Sequence, residues 1–223
     1  DSFIHSKYAD VRDLPSMEDF FSEVRPEIVI HMAAQPLVRD SYKDPRYTYE
    51  TNVMGTVNVL ECVRSNNSVR SFLNVTTDKV YENKEWDYGY REIDPLNGYD
   101  PYSNSKSCSD IITSSYRKSF FADGRCAIST ARAGNVIGGG DFALERIIPD
   151  CVRAAYSGTP IRLRNPSSIR PYQHVLEPLF GYLKIVKCQS EDIGKAGSYN
   201  IGPEYSDCIT TGELATMFCD MWG

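Results

Sequence analysis

Long apolar runs are missing from this chain: no stretch approaches the ~18 residues that a membrane-crossing helix needs, and a mean hydropathy of −0.39 leaves no place for a membrane span. The first residues, Asp1-Ser2-Phe3-Ile4-His5, lack both a basic start and an apolar core, so no secretory signal is legible there. Paired cysteines are missing too. The seven cysteines are odd in number, dispersed and never spaced Cys-x-x-Cys, the pattern of reduced thiols in a cytoplasmic protein rather than of a disulfide framework. Histidine is scarce: His5, His31 and His174 stand far apart, which gives zinc no ligand spacing and predicts no metal. Positive charge is in deficit, with a formal net charge of −6. That argues against a nucleic-acid partner, while scattered arginines can still hold the phosphates of a small ligand. Absent from the first residues, finally, is a Gly-x-x-Gly-x-x-Gly turn of the kind that cradles a dinucleotide pyrophosphate. The expectation is a chain entered part-way through.

What is present is an alternation. A 41 % apolar and 24 % charged composition is ordinary for a folded domain, and 223 residues can bury one large core, or a core and a small second lobe. Apolar β-branched runs alternate with longer helical patterns, which predicts crossover units feeding a parallel sheet. Strands are predicted over 27–31, 71–76 and 127–131, with a helical segment over 17–24 before the first. Val53, Val57, Leu60 and Val63 recur at helical spacing with Asn66-Asn67 as a stop, and a helix is predicted from Tyr102 to about Phe121. After Gly138-Gly139-Gly140-Asp141 the texture changes. The pattern there predicts a helix over 145–156, a short strand over 160–163, a loop over 165–171, a helix over 176–188, a strand over 198–201 and a last helix from Thr211. The expected fold class is α/β, a Rossmann-like doubly wound parallel sheet with its first β-α-β unit missing, plus a smaller α/β substrate-binding lobe. Residues 1–141 are expected to form the dinucleotide-binding domain, and 142–223 mainly the lobe, with return segments to the first domain.

Two motifs carry the chemistry. Tyr102-Ser103-Asn104-Ser105-Lys106 places a phenol and an ammonium one helical turn apart on one face. The cation can there lower the phenol's pKa towards neutrality, so that it acts as a base on a sugar hydroxyl. Such a pair also occurs on solvated helix faces; its context, one loop after a strand ending in Thr76-Thr77-Asp78-Lys79, raises it. Asp78-Lys79 reads equally as a surface ion pair. Ligands of open α/β sheets bind beyond the carboxyl ends of the strands, where His31-Met32-Ala33-Ala34-Gln35, Thr77-Asp78-Lys79 and Gly134-Asn135 sit. His31 itself reads as a packed, hydrogen-bonded residue, and Asp100-Pro101 offers a helix start for Tyr102. Arg39, Arg146, Arg162, Arg164 and Arg170 are candidate phosphate ligands, because guanidinium forks match phosphate oxygens.

These stretches resemble the extended short-chain dehydrogenase/reductase family and, within it, the CDP-glucose 4,6-dehydratases. The likeness runs through His31 to Arg39, Glu50 to Val57, Thr77 to Tyr81, Tyr102 to Lys106, Arg132 to Asp141 and Arg170 to Pro178. Tyr-x-x-x-Lys marks only the superfamily, whereas Ala-Ala-Gln-Pro-Leu-Val-Arg and Arg-Pro-Tyr-Gln-His-Val look specific to the dehydratases. The resemblance implies a lyase of nucleotide-sugar metabolism with an internal redox cycle: NAD takes a hydride from C4 of CDP-glucose and returns it at C6. Tyr102 would take the C4 hydroxyl proton, and Lys106 would tune that phenol and hold the nicotinamide ribose. Asp78 would protonate the departing C6 hydroxyl as general acid, and Thr77 would hydrogen-bond the C4 region. Where related dTDP-glucose dehydratases carry a Glu as C5 base, this chain has Lys79. It is either a neutral base, lowered from ~10.4 by burial or a nearby cation, or a cation that stabilises the enolate.

The resemblance also puts Asp10 and Val11 at the adenine, Ala33, Ala34 and Gln35 along the dinucleotide, and Asn52 near the cofactor. Arg39, Asn135, Arg146 and Arg170 are expected to face the CDP-sugar. Further implications are a role in cell-surface polysaccharide such as lipopolysaccharide, and a homodimer formed through helices such as 42–66 and 100–121. Without the family's first unit the chain is expected to bind NAD poorly. The competing expectations are a nucleotide-sugar 4-epimerase, a dehydratase for another nucleotide, or an inactive binding protein.

Overall fold

The computed structural model describes residues 3–223. In chain order the elements are α1 (Leu14–Val24), β1 (Ile28–His31), α2 (Val38–Lys43), α3 (Pro45–Tyr49), a π-helical turn (Glu50–Met54), α4 (Gly55–Ser65), β2 (Ser71–Val75), α5 (Pro101–Phe120), β3 (Ala127–Ala133) and β4 (Asn135–Ile137). There follow α6 (Ile147–Tyr156), β5 (Ile169–Arg170), β6 (Tyr172–His174), α7 (Leu176–Glu191), β7 (Ser198–Ile201), β8 (Ile209–Thr210) and α8 (Thr211–Trp222). Two compact units emerge: the chain up to Ala133 together with Gly181–Asn200, and Gly134–Phe180 together with Ile201–Gly223.

The first unit is built on a four-stranded sheet in the order β1-β2-β3-β7. β1, β2 and β3 run parallel, with Ile28 opposite Ser71 and Ser71 opposite Ala127. Parallel strands demand helical crossovers that cover the faces of the sheet. Accordingly Ser71–Asn74 and all of Ala127–Ala133 are buried. Phe72 and Ile128 join Leu60, Val63, Val69, Phe21 and Phe121 in one apolar cluster, each large side chain contributing roughly 1.5–3 kcal/mol by leaving water. The expected α/β parallel sheet is therefore present, and its three predicted parallel strands fall where their β-branched runs lie.

Local chemistry sets the helix boundaries. Asp13 caps α1 by accepting from the Ser16 amide at 3.3 Å, and Arg25 ends it in the left-handed region at φ 47°. α4 stops at Asn66, as its sequence predicts. Between β1 and α4 the helical run breaks once, at Asp44, since Pro45 disfavours a helical residue before it. Asp44 leaves helical geometry, at φ −137° and ψ 80°, and caps the next turn through the Tyr47 amide at 2.9 Å.

The second unit contains two small strand pairs. β4 and β6 run parallel with Asn135 opposite Tyr172, and β5 and β8 run antiparallel with Ile169 opposite Thr210. Helix α8 starts with a reciprocal cap between Thr210 and Glu213 and packs on α6. One expectation fails here: residues 160–163 form no strand. Pro160 offers no amide hydrogen, and a four-residue run without a pairing neighbour has nothing to satisfy its backbone. The predicted loop over 165–171 instead contributes β5 at its end. Among the described residues no helix is long and apolar enough to cross a membrane, and no group of three or more His, Cys, Asp or Glu side chains could hold a metal ion.

Candidate active site

The start of α5 is fixed by its own sequence. Asp100 caps it, accepting from the Ser103 amide at 2.9 Å and from the Ser103 hydroxyl at 2.6 Å, and Pro101 occupies the first helical position. Tyr102 follows, half-buried, with its amide hydrogen donated to Ser41 Oγ of α2 at 3.1 Å. The loop before the helix approaches it closely. A Cβ on Gly98 would lie 2.4 Å from the Ser103 carbonyl carbon, so only glycine fits there.

Lys106 lies one turn further on and is only 4 % exposed. Its Nζ donates to the Val75 carbonyl, the last of β2, at 2.8 Å. Burial lowers this ammonium's pKa to about 8, against an opposing pull from Asp110. At neutral pH it is still mostly a cation. His31, at the end of β1, is buried with Nε2 3.2 Å from Thr56 Oγ1. Its pKa is pushed down to about 3, by burial first and by the Lys106 charge second. It is therefore a neutral packing residue at working pH, as its position in the sequence suggests.

Beyond β2 the chain turns through a short 3₁₀ helix, Asp78–Val80. Thr77 opens it: its hydroxyl donates to Asp78 Oδ1 at 3.0 Å and accepts from the Lys79 amide at 3.4 Å. Asp78 and Lys79 are half-buried. Because Val75 receives the Lys106 ammonium, the structure brings Thr77, Asp78 and Lys79 within a few residues of the α5 pair.

After β1, Ala33 is exposed and Ala34 half-buried, while Gln35 turns inward. Gln35 and Asn52 lock each other: the Gln35 amide donates to Asn52 Oδ1 at 2.7 Å and Asn52 Nδ2 donates back to the Gln35 carbonyl at 3.1 Å. Asn52 also reaches Ser105 Oγ at 2.9 Å, and Gln35 Nε2 reaches Thr48 Oγ1 at 2.9 Å. Their side chains thus shape the loop and tie it to α5. What they leave outward is the small surface of Ala33 and Ala34.

Asp10 is exposed and grips Arg12 through both carboxylate oxygens; hydrogen bonds from Arg12 hold its pKa down at about 2. The Arg12 guanidinium lies 4.8 Å from the centroid of the Tyr47 ring. Asp10 and Arg12, with Asp13, Glu50 and Met54, line an open cavity of about 520 Å³. Val11 points the other way, into the core, against Gly55.

Of the remaining candidates, Arg39 is exposed on α2 of the first unit. Asn135 on β4, Arg146 just before α6 and Arg170 on β5 belong to the second unit. Arg146 donates to Asp141 Oδ2 at 2.9 Å. Sequence reasoning passed over Arg12, Asp110 and Tyr182. Tyr182 of α7 is buried, and its phenol is pushed up to about 12 by burial and then by Tyr102. Asp110 was legible only as the residue one turn after Lys106.

A match to the GDP-mannose 4,6 dehydratase family covers residues 2–202. The chain belongs to this family. A CDP-glucose 4,6-dehydratase of Salmonella typhimurium is 45 % identical over 226 residues, covering 99 % of this chain. The chain spans 63 % of that relative's length. Among solved structures, the UDP-glucose 4-epimerase of Thermus thermophilus, in complex with NAD, superposes with a TM-score of 0.82 at 25 % identity, covering 96 % of this chain and 68 % of that one. The dTDP-glucose 4,6-dehydratase of Streptomyces venezuelae, with NAD bound, gives 0.81 at 25 % identity over 99 % of this chain and 64 % of that one. Family membership thus agrees with the Rossmann-like class that the strand and helix alternation implies.

Proposed function

We propose that this chain carries the catalytic wall of an NAD-dependent 4,6-dehydratase, a hydro-lyase acting on CDP-glucose. The observation that carries the reading is the Tyr102/Lys106 pair at the start of α5, bonded through Lys106 to the end of β2 where Thr77-Asp78-Lys79 begins. The 45 % identity to a CDP-glucose 4,6-dehydratase supports the substrate.

The residues fit a nicotinamide dinucleotide. An ammonium has three donor hydrogens, and that of Lys106 has one acceptor among the described residues, so ribose hydroxyls can take the others. Ala33 and Ala34 permit close approach at the end of β1, and Asp10 and Arg12 border the cavity assigned to the adenine side. Bound NAD supplies the hydride acceptor for C4 and the hydride donor for C6.

The chain's own groups do the rest. Tyr102 removes the C4 hydroxyl proton, helped by the Lys106 cation. The C4 ketone acidifies the proton on C5. Asp78 protonates the departing C6 hydroxyl, and Thr77 turns its one hydroxyl hydrogen from Asp78 to the C4 oxygen. Lys79 serves the C5 step, as base or as the cation beside the enolate; solvent deuterium exchange at C5 in Lys79→Gln separates these roles. Arg39, Asn135, Arg146 and Arg170 are assigned to the CDP-sugar, with Arg146 exchanging Asp141 for phosphate. We place the protein in the cytoplasm on its seven free cysteines. A homodimer through α4 and α5 is supported by the exposed Met54, Ile111 and Phe120 on or beside those helices.

The test is to supply NAD and CDP-glucose and read the alkali-induced absorbance of a 4-keto-6-deoxy product, with dTDP-glucose in parallel. Product from CDP-glucose alone is expected. Asp78→Asn should keep the transient NADH absorbance of C4 oxidation and lose product. Unchanged product formation in Asp78→Asn would sink the acid assignment of Asp78; a C4 epimer of CDP-glucose formed with no 4-keto-6-deoxy product would favour the 4-epimerase reading, which needs no acid at C6.

A further inference from the structure

The side chains that α5 buries are all polar: Ser103, Ser105, Lys106, Ser107, Ser109, Asp110 and Thr113. Among them Asp110 stands four residues after Lys106, the spacing at which a lysine and an aspartate on one helix ordinarily pair. Here they do not. Asp110 Oδ2 accepts from Arg132 Nε at 2.8 Å and from Thr76 Oγ1 at 3.1 Å; Oδ1 accepts from Arg132 Nη2 at 2.8 Å and from Thr130 Oγ1 at 3.4 Å. Both oxygens are occupied, in a bidentate fork buried on both sides. Arg132 is itself fixed. Its Nη1 donates to the Tyr81 hydroxyl at 2.7 Å and to the Glu92 carbonyl at 3.1 Å, and Tyr81 donates onward to Asn200 Oδ1 at 2.6 Å.

We propose that Arg132 and Asp110 are positioning residues for Lys106: the guanidinium on β3 holds the carboxylate out of a helix-turn ion pair, leaving the ammonium on the Val75 carbonyl and available to Tyr102. The consequence for turnover rests on the dehydratase reading above; the state of Lys106 does not. Of the other ionisable groups, His31 on β1 feels the Lys106 charge and is neutral by burial, Tyr102 lies one turn earlier on the same helix, and Asp78 and Lys79 stand three and four residues along the chain from Val75, the acceptor of Lys106. Burial lowers Lys106, and Asp110 opposes that lowering. A carboxylate freed from Arg132 opposes it more strongly.

The experiment is an NMR titration of the whole chain with lysines labelled with ¹³C at Cε, the Lys106 resonance being identified by its loss in Lys106→Met. Arg132→Gln should raise the Lys106 pKa from about 8 by on the order of one unit. Asp110→Asn should lower it by a similar amount, because the buried guanidinium is then unpaired. The double variant, with neither charge, should return near the wild-type value. Opposite signs from the two halves of one ion pair, cancelling in the double variant, are not produced by a merely structural role. Should Arg132→Gln fail to fold, Asp110→Asn and the double variant still test the sign and its reversal. A Lys106 pKa that ignores these changes, or moves the same way in both single variants, overturns the proposal. With NAD and CDP-glucose, the alkaline limb of kcat/KM, where the Lys106 cation is lost, should follow Lys106 in each variant. A wild-type chain that makes no product while Lys106 titrates as described withdraws the turnover consequence and supports the assignment of Arg132 and Asp110; product with a Lys106 pKa that ignores the variants does the reverse.

Discussion

Lys106→Met should stabilise the fold at neutral pH while abolishing its chemistry. The native pKa of about 8 lies below the ordinary 10.5 because burial disfavours the charge. Below pH 8 both folded and unfolded chains carry the proton, and the folded state bears the full cost of a buried ammonium. Between pH 8 and 10.5 the unfolded chain binds more protons than the folded one, so this group makes the wild type more stable as pH rises. At about 1.4 kcal/mol per pKa unit the swing is about 3 kcal/mol. Methionine removes that cost at every pH, and forfeits the bond to the Val75 carbonyl, about 1 kcal/mol net. The variant should therefore be about 2 kcal/mol more stable than the wild type at pH 7 and about 1 kcal/mol less stable near pH 11. Urea unfolding of both proteins at each pH measures this. Other buried groups, such as Cys62, Cys126 and Tyr182, are common to both proteins and cancel in the comparison. A stability difference that stays constant from pH 7 to 11 would falsify the claim that burial of a charge sets the state of Lys106.

Three further outcomes follow from the same geometry. Tyr102→Phe should cut turnover of CDP-glucose by roughly 10²–10⁴-fold, the range for a lost general base; a loss under tenfold would remove Tyr102 from that role. Gly98→Ala should destabilise by roughly 1–3 kcal/mol, since the new methyl meets backbone of Ser103 at 2.4 Å, and should lower kcat by shifting the turn that carries Tyr102; an unaltered midpoint in urea would show that the loop yields freely. Burial pushes the thiols of Cys62 and Cys126 up to about 11 and about 12, so at pH 8 a disulfide reagent should modify the exposed Cys219 first and these two only on unfolding; uniform reaction of all seven cysteines would contradict the packing.

Much of the fold was legible because its signals are local. Strands β1, β2 and β3 announce themselves as β-branched runs, and Asp100-Pro101 fixes the start of α5 by capping within four residues. The failed strand over 160–163 shows the limit of that reasoning: four residues of suitable pattern need a neighbour to pair with, and the sequence does not reveal whether one exists. The helical run after β1 was likewise visible only in its second half. The break at Asp44 depends on Pro45, but the packing of α2 depends on Ser41 reaching the Tyr102 amide, 61 positions away.

The sequence by itself determined the α/β class, the phenol and ammonium one turn apart, and the Thr-Thr-Asp-Lys segment that follows a strand, because periodicity and capping act over three or four residues. Only the tertiary structure decided the electrical state of those groups. It buried Lys106 against Val75, made His31 neutral, turned Gln35 and Asn52 inward to lock a loop, and seated Asp110 on Arg132, 22 positions away. The physical reason is that desolvation and ion pairing depend on which side chains the sheet register and helix packing bring together. No local pattern contains that information.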